Sequence, residues 1–433
     1  MPARARPYNL RRRMADVQPL RALRYDLDRA GPLQDLVSPP YDVIDEAQRA
    51  ELAGRSPYNV VGVDLPRSDG DPYGAAAELL NRWRGEGAVV RDERPALWAL
   101  TQDYRTPGGG RMTRRGFLCR VGIEEYGAGR VRPHERTHSG PKEDRLRLTR
   151  ATRANLSPIF ALHSDPGRQA WAAIAPLTAG EPWDAVTDED GTEHRLWRVE
   201  DRSAVEAVQA TLADAELLIA DGHHRYETAR VYAEEIGGEG AHRYVLACLV
   251  ALEDPGLTVF PTHRLVRGLR PDQHETLADA IRASFEIEEV APEALAPAAG
   301  EGPLELGYID AHIKRPFRLT LRDQRIADDA LADHAEPYRR LDTAVLEALI
   351  LKAALGMTDD SIAHLDGLGY ARDAAEALEL VQAGTYDAAF LMRPAPVSRI
   401  REIAAAGETM PPKSTYFFPK VLTGLVFNPL DED

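Results

Sequence analysis

The chain has 433 residues, 28% of them charged, with a formal net charge of -16 and a pI near 5.3. Its length points to two or three domains, and so acidic a balance argues against bulk nucleic-acid binding, which needs a basic surface. No apolar run reaches the ~18 residues of a membrane-spanning helix, and the two cysteines, Cys119 and Cys248, neither build a cysteine zinc cluster nor suggest a disulfide framework. A reducing cytoplasm is the simplest compartment for such a chain.

Residues 1–13 carry five arginines and no acid. No apolar segment follows them, so they do not read as a secretory signal; a disordered basic extension is expected, with Met14 as an alternative start. Val37 to Ile44 holds the pair Pro39-Pro40, which fixes an extended turn. Tyr41 and Asp42 in that turn read equally as site residues or as part of a rigid loop. Asp45 then caps a helix running to Ala53. Asn59 to Asp64 reads as a strand, Tyr73 to Gly85 as an amphipathic helix, and Ala96 to Tyr104 and Arg115 to Ile123 as strands joined by a glycine-rich hairpin at 106–110. Cys119 falls inside the second of these strands, as a core residue.

The next charged stretch runs Pro133-His134-Glu135-Arg136-Thr137-His138-Ser139-Gly140-Pro141-Lys142-Glu143-Asp144-Arg145. His134 to His138 matches a zincin spacing, which needs both histidines one turn apart in a continuous helix. Ser139-Gly140-Pro141 breaks such a helix, so a loop with a helix starting near Pro141 or Lys142 fits better. Arg145, Arg147, Arg150 and Arg153 make that helix basic. Asn155 to Leu162 follows as a buried strand, and Trp171, Trp183 and Trp197 read as packing anchors.

Asp201 to Ala213 reads as a helix and Leu217 to Ala220 as a buried strand. Between that strand and an amphipathic helix reaching Ile236 lies Asp221-Gly222-His223-His224-Arg225. Gly222 lets the backbone turn tightly, the first amides of a helix favour anions, and imidazoles with a guanidinium suit phosphate oxygens. Tyr244 to Leu252 is an apolar run suited to the middle of a sheet, and Leu257 to Val266 is strand-like. A loop or boundary is expected at 292–303, a strand pair at 304–308 and 317–321, helices at 344–354 and 373–383, and a strand at 388–392. Near the C-terminus Lys413, Ser414 and Thr415 suit phosphate, and the aromatics after them suit a core.

Six of these segments together resemble the bacterial domain-of-unknown-function family ten-fifteen, from about Ala15 to about Phe427. They are Pro39 to Ile44, His134-Glu135, Pro141 to Arg145, Asn155 to Phe160, Asp221 to Arg225 and Pro412 to Phe417. The Asp221 segment is in turn similar to the phosphate-binding turn of the ParB/sulfiredoxin fold, which holds nucleotide phosphates at a helix N-terminus. Sulfiredoxins place a cysteine where this chain has His223, so their chemistry is not implied. Free-serine kinases of that superfamily have the more similar turn and use a glutamate as base.

The resemblance implies an α+β fold of mixed sheets with flanking helices, with a ParB/sulfiredoxin-like nucleotide-binding core and additional α/β elements. In chain order the expected domains are 14–130, a core at 131–290 and a C-terminal region at 291–433. It implies a nucleotide-dependent kinase acting on a small hydroxyl compound such as free L-serine, with ATP or ADP and magnesium. Glu135, Asp221 and His223 are then the catalytic residues, with Glu135 as base and Asp221 also holding magnesium. Gly222, His224, Arg225, Lys142 and Arg145 would bind the phosphates. Nucleic acid and membrane are not expected partners, and a homodimer is left open. Two other readings are a ParB-like nucleotide switch, for which no basic helix-turn-helix is found, and a metal-dependent hydrolase using His134, His138, His223 and His224.

Overall fold

The computed structural model describes residues 15–106, 109–125, 130–135, 139–300, 302–371 and 373–431. The basic extension, the tip of the 106–110 hairpin and His138 therefore lie outside the described residues. The fold is mixed α+β, in two compact units: Met1–Arg132, Thr137–Leu257 and Pro419–Asp433 form one, and Pro133–Arg136 with Thr258–Phe418 the other. These units cut across the sequential boundaries expected at 130/131 and 290/291.

The first unit is organised on a nine-stranded sheet. Its strands are β1 (Val17–Gln18), β2 (Leu97–Arg105), β3 (Arg111–Gly122), β4 (Val131–Arg132), β5 (Ile159–His163), β6 (Asp184–Thr187), β7 (Glu193–Val199), β8 (Leu217–Asp221) and β9 (Tyr244–Ala251). They run in the order β4-β8-β5-β9-β3-β2-β7-β6, with β1 beside β3. β9 is apolar along almost its whole length and takes an interior position, parallel to β5 and antiparallel to β3. Helices α1 (Glu46–Arg55), α2 (Pro72–Gly85), α3 (Ser139–Thr152), α4 (Arg202–Leu212) and α5 (His223–Ile236) belong to this unit. Asp45, Asp71 and Asp201 cap α1, α2 and α4 through their carboxylates. Val205, Val208 and Leu212 of α4, Tyr226 and Ala229 of α5, and Leu217, Ile219 and Leu249 of the sheet share one core.

Two sequence expectations fail here for local reasons. Asn59 to Asp64 is not a strand: Val61–Asp64 is a short helix. The Asn59 side chain donates to the carbonyls of Asp35 and Val37 and accepts from the Val61 amide, so side-chain hydrogen bonds override the β-branched composition. α3 begins at Ser139 rather than at Pro141 or Lys142, because proline is tolerated in a first helical turn, where its missing N–H has no partner to lose.

The second unit has a six-stranded antiparallel sheet of β10 (His263–Val266), β11 (Phe285–Glu289), β12 (Glu305–Asp310), β13 (Phe317–Leu321), β14 (Leu368–Ala371) and β15 (Ala388–Leu391), in the order β11-β13-β12-β15-β10-β14. The strand-like run 257–266 is split at Pro261: Thr258–Phe260 pairs with Tyr416–Phe418, while β10 joins the larger sheet. Helices α6 (Pro271–Ser284), α7 (Asp342–Leu346), α8 (Ala374–Gln382) and α9 (Val397–Ala405) belong to this unit. α7 continues into a π-helical stretch, Glu347–Ala354. Leu265, Ile309, Ala377, Val381, Ala389 and Leu391 form its core. Among the described residues, no helix is long and apolar enough to cross a membrane.

Candidate anion-binding site

β8 ends at Asp221, and Gly222 turns the chain into α5 with φ 88° and ψ 30°. This left-handed conformation suits glycine, and a Cβ here would stand 2.9 Å from Nε of Arg225. Gly222, the cap residue of this fourteen-residue helix, has no side chain to offer, and the positive end of a helix favours an anion.

Asp221 does not cap the helix. One carboxylate oxygen accepts from Nζ of Lys420 at 2.6 Å, and the other accepts from Arg225. Burial pushes the Asp221 carboxyl up, but Lys420 and Arg225 outweigh it, with help from His223, and hold it well below the usual carboxylate range. Arg225 also donates to the Ser157 hydroxyl at 2.7 Å and to the Pro158 carbonyl. Ser157 in turn accepts from Thr423. His223 is buried and His224 half-buried.

A second charged cluster sits nearby. Arg145, buried on α3, donates to Asp144 and to both the carbonyl and the carboxylate of Asp64, the latter at 3.1 Å. Its guanidinium lies 4.3 Å from the Tyr41 ring centre. Burial raises the Asp64 carboxyl, against the pull of Arg145 and Arg225. Asp64 Oδ2 and Thr228 Oγ1 are buried without a hydrogen-bond partner. Both residues line a cavity of about 40 Å³ together with Tyr41, Arg145, Ser157 and Arg225. One water needs ~10–15 Å³ of such space, so the cavity takes a group of a few atoms.

The six sequence segments therefore sort into two sets. Pro39 to Ile44, Pro141 to Arg145, Asn155 to Phe160 and Asp221 to Arg225 meet in the first unit. His134-Glu135 belongs to the second unit, with Pro412 to Phe417: Glu135 accepts from the Lys413 amide at 3.3 Å, and His134 bonds Thr415 at 2.9 Å. Arg264, buried under Tyr370, donates to the carbonyls of Pro412 and Lys413 and holds Lys413 at φ 57°. Lys142 is half-buried on α3, one turn before Arg145.

Lys420 was not among the residues expected at the site. It is 199 positions from Asp221, and the sequence reading stopped at Lys413 to Thr415. Both oxygens of Asp221, the residue expected to hold magnesium, accept from cations here. Among the described residues there is no group of three or more His, Cys, Asp or Glu able to hold a metal.

The fold and this turn define an α+β protein with a strand-glycine-helix turn at Gly222. The chain belongs to DUF1015, a family of proteins of unknown function, whose model matches residues 17–344. Pro412 to Phe417 and Lys420 lie beyond that match. No curated protein matches the chain. Among solved structures it is similar to a conserved hypothetical protein from Pyrococcus furiosus, at 15% identity over 66% of this chain and 87% of that one, TM-score 0.34. It is similar to a variant of a free serine kinase in complex with ADP, at 14% identity over 68% and 89%, TM-score 0.36. It is also similar to SbnI with a C-terminal truncation from Staphylococcus aureus, at 13% identity over 71% and 85%, TM-score 0.36. Likeness at this level does not carry a function from one chain to another.

Proposed function

We propose that the first unit is the nucleotide-binding part of a phosphotransferase that acts on a small hydroxyl compound, with L-serine the first to try. The observation that carries this reading is the meeting of four separate segments, plus Lys420, at one strand-glycine-helix turn. In this reading the turn is the ParB/sulfiredoxin-like element of the fold.

Phosphoryl transfer asks mainly for positioning and charge stabilisation. The Gly222 turn and the positive end of α5 receive the terminal phosphate of ATP or ADP. Arg225 and Lys420 supply positive charge, and Asp221 positions both of them. His224 and Lys142 stand as further phosphate contacts. Arg145 is bound to two carboxylates and shapes the cavity instead. Magnesium travels with the nucleotide phosphates, not on Asp221.

The cavity behind Arg225 receives the acceptor hydroxyl. Asp64 Oδ2, buried and unpartnered, takes the hydroxyl proton as the oxygen attacks phosphorus and the bond to the departing nucleotide breaks. Glu135, the base that the sequence suggested, belongs to the second unit, and Asp64 takes that role here. The test is 31P NMR of the purified chain with magnesium, ATP or ADP, and L-serine or a panel of small alcohols. A new phosphate monoester is expected. No ester with either nucleotide across the panel would contradict the reading.

A further inference from the structure

The second unit holds a cavity of about 70 Å³ that no part of the reading above uses. Arg340, Arg393, Arg399, Asp342, Thr343 and Ser414 are among the residues lining it. Three guanidiniums thus face one carboxylate. Asp342 is fully engaged: Arg393 grips it through two hydrogen bonds, each of 2.7 Å. Arg393 also donates to the carbonyls of Gly302 and Pro303, which leaves Arg340 and Arg399.

Arg399 is the informative one. Its Nη1 atom is buried and has no hydrogen-bond partner. Its Nε stands 3.6 Å from Glu402, beyond hydrogen-bond reach. Arg340 uses Nε on Glu336 at 2.8 Å, and its Nη1 lies 3.9 Å from Asp328. Arg399 sits in the first turn of α9, which starts behind Pro396, where the positive end of the helix favours an anion. A buried guanidinium nitrogen without an acceptor costs free energy unless something supplies one. The donor set lacks an acceptor, and an oxyanion supplies several in one group. The space is several times the ~10–15 Å³ that one water needs.

We propose that this cavity is an anion pocket that seats the phosphate or carboxylate end of a small metabolite, with Arg399 and Arg340 as its principal contacts. The pocket lies wholly within the second unit and stands or falls independently of the turn at Gly222.

The test is isothermal titration of the full chain with inorganic phosphate and, separately, with succinate, in the wild type and in Arg399→Gln and Arg340→Gln. Both arginines are partly exposed, so the variants should fold, and their unliganded melting curves check this. Saturable binding of one probe is expected in the wild type, and the probe that binds tells phosphate from carboxylate. Each variant should weaken that binding by about tenfold, the size of one lost charge-assisted hydrogen bond, and leave ATP or ADP binding unchanged. Absence of binding by both probes overturns the proposal. So does binding that neither substitution alters, which would place the phosphate elsewhere.

Discussion

At Asp221 a half-buried carboxylate is held between two cations, Arg225 one helical turn on and Lys420 far along the chain. Because Lys420 and Arg225 depress its pKa, the folded value lies below the unfolded value of about 3.9. The stability this group contributes is therefore complete above about pH 4 and is lost as pH falls through that value toward the folded one. Lys420→Met removes one of the two cations. It should cost about 3 kcal/mol at neutral pH, as breaking a buried ion pair does, and it should flatten the acid limb of stability. Thermal melts of both proteins between pH 2 and pH 7 check this; parallel acid limbs would show that Lys420 does not hold the carboxylate. The sequence could not name Lys420, since a lysine among aromatics looks like any surface lysine. Asp221, Gly222 and Arg225 were legible because the chemistry of a strand-glycine-helix turn is local.

The same division holds for elements. β8, α5, α4 and β9 were readable because their apolar periodicity matches what they bury. Asn59 to Asp64 was not, because a hydrogen-bonded asparagine decided its conformation. Thr258–Phe260 and β10 read as one strand because nothing in their composition says that two sheets divide them. β10 carries a pH response of its own. His263 is buried, and its Nδ1 accepts from the Met392 amide at 3.1 Å. Burial pushes its pKa down to about 4, below the unfolded value of about 6.5. The sign is that of a depressed group: its contribution is complete above pH 6.5 and is lost as pH falls toward 4, up to about 3 kcal/mol. His263→Asn keeps an acceptor for Met392 without a titrating ring. It should lose less stability than the wild type between pH 7 and pH 4.5, keeping only the share that buried His163 contributes. An equal loss in both proteins would assign the acid sensitivity to another group.

Over the whole molecule, the α+β class was legible from the alternation of strand-like and helix-like stretches, but the partition into units was not. The first unit closes with the last residues of the chain, and four residues at 133–136 join a sheet unit that begins more than a hundred positions later. Such returns leave no mark on composition or periodicity. They also divide the expected catalytic set, placing Glu135 in one unit and Asp221 and His223 in the other. The central claim, that the Gly222 turn and Lys420 hold nucleotide phosphate, is tested most directly by titrating ATP and ADP into the wild type and into Lys420→Met. Saturable binding of at least one nucleotide to the wild type, weakened tenfold or more in the variant, is expected from a lost charge-assisted phosphate contact. Equal affinity in the two proteins, or no binding to either, would contradict it.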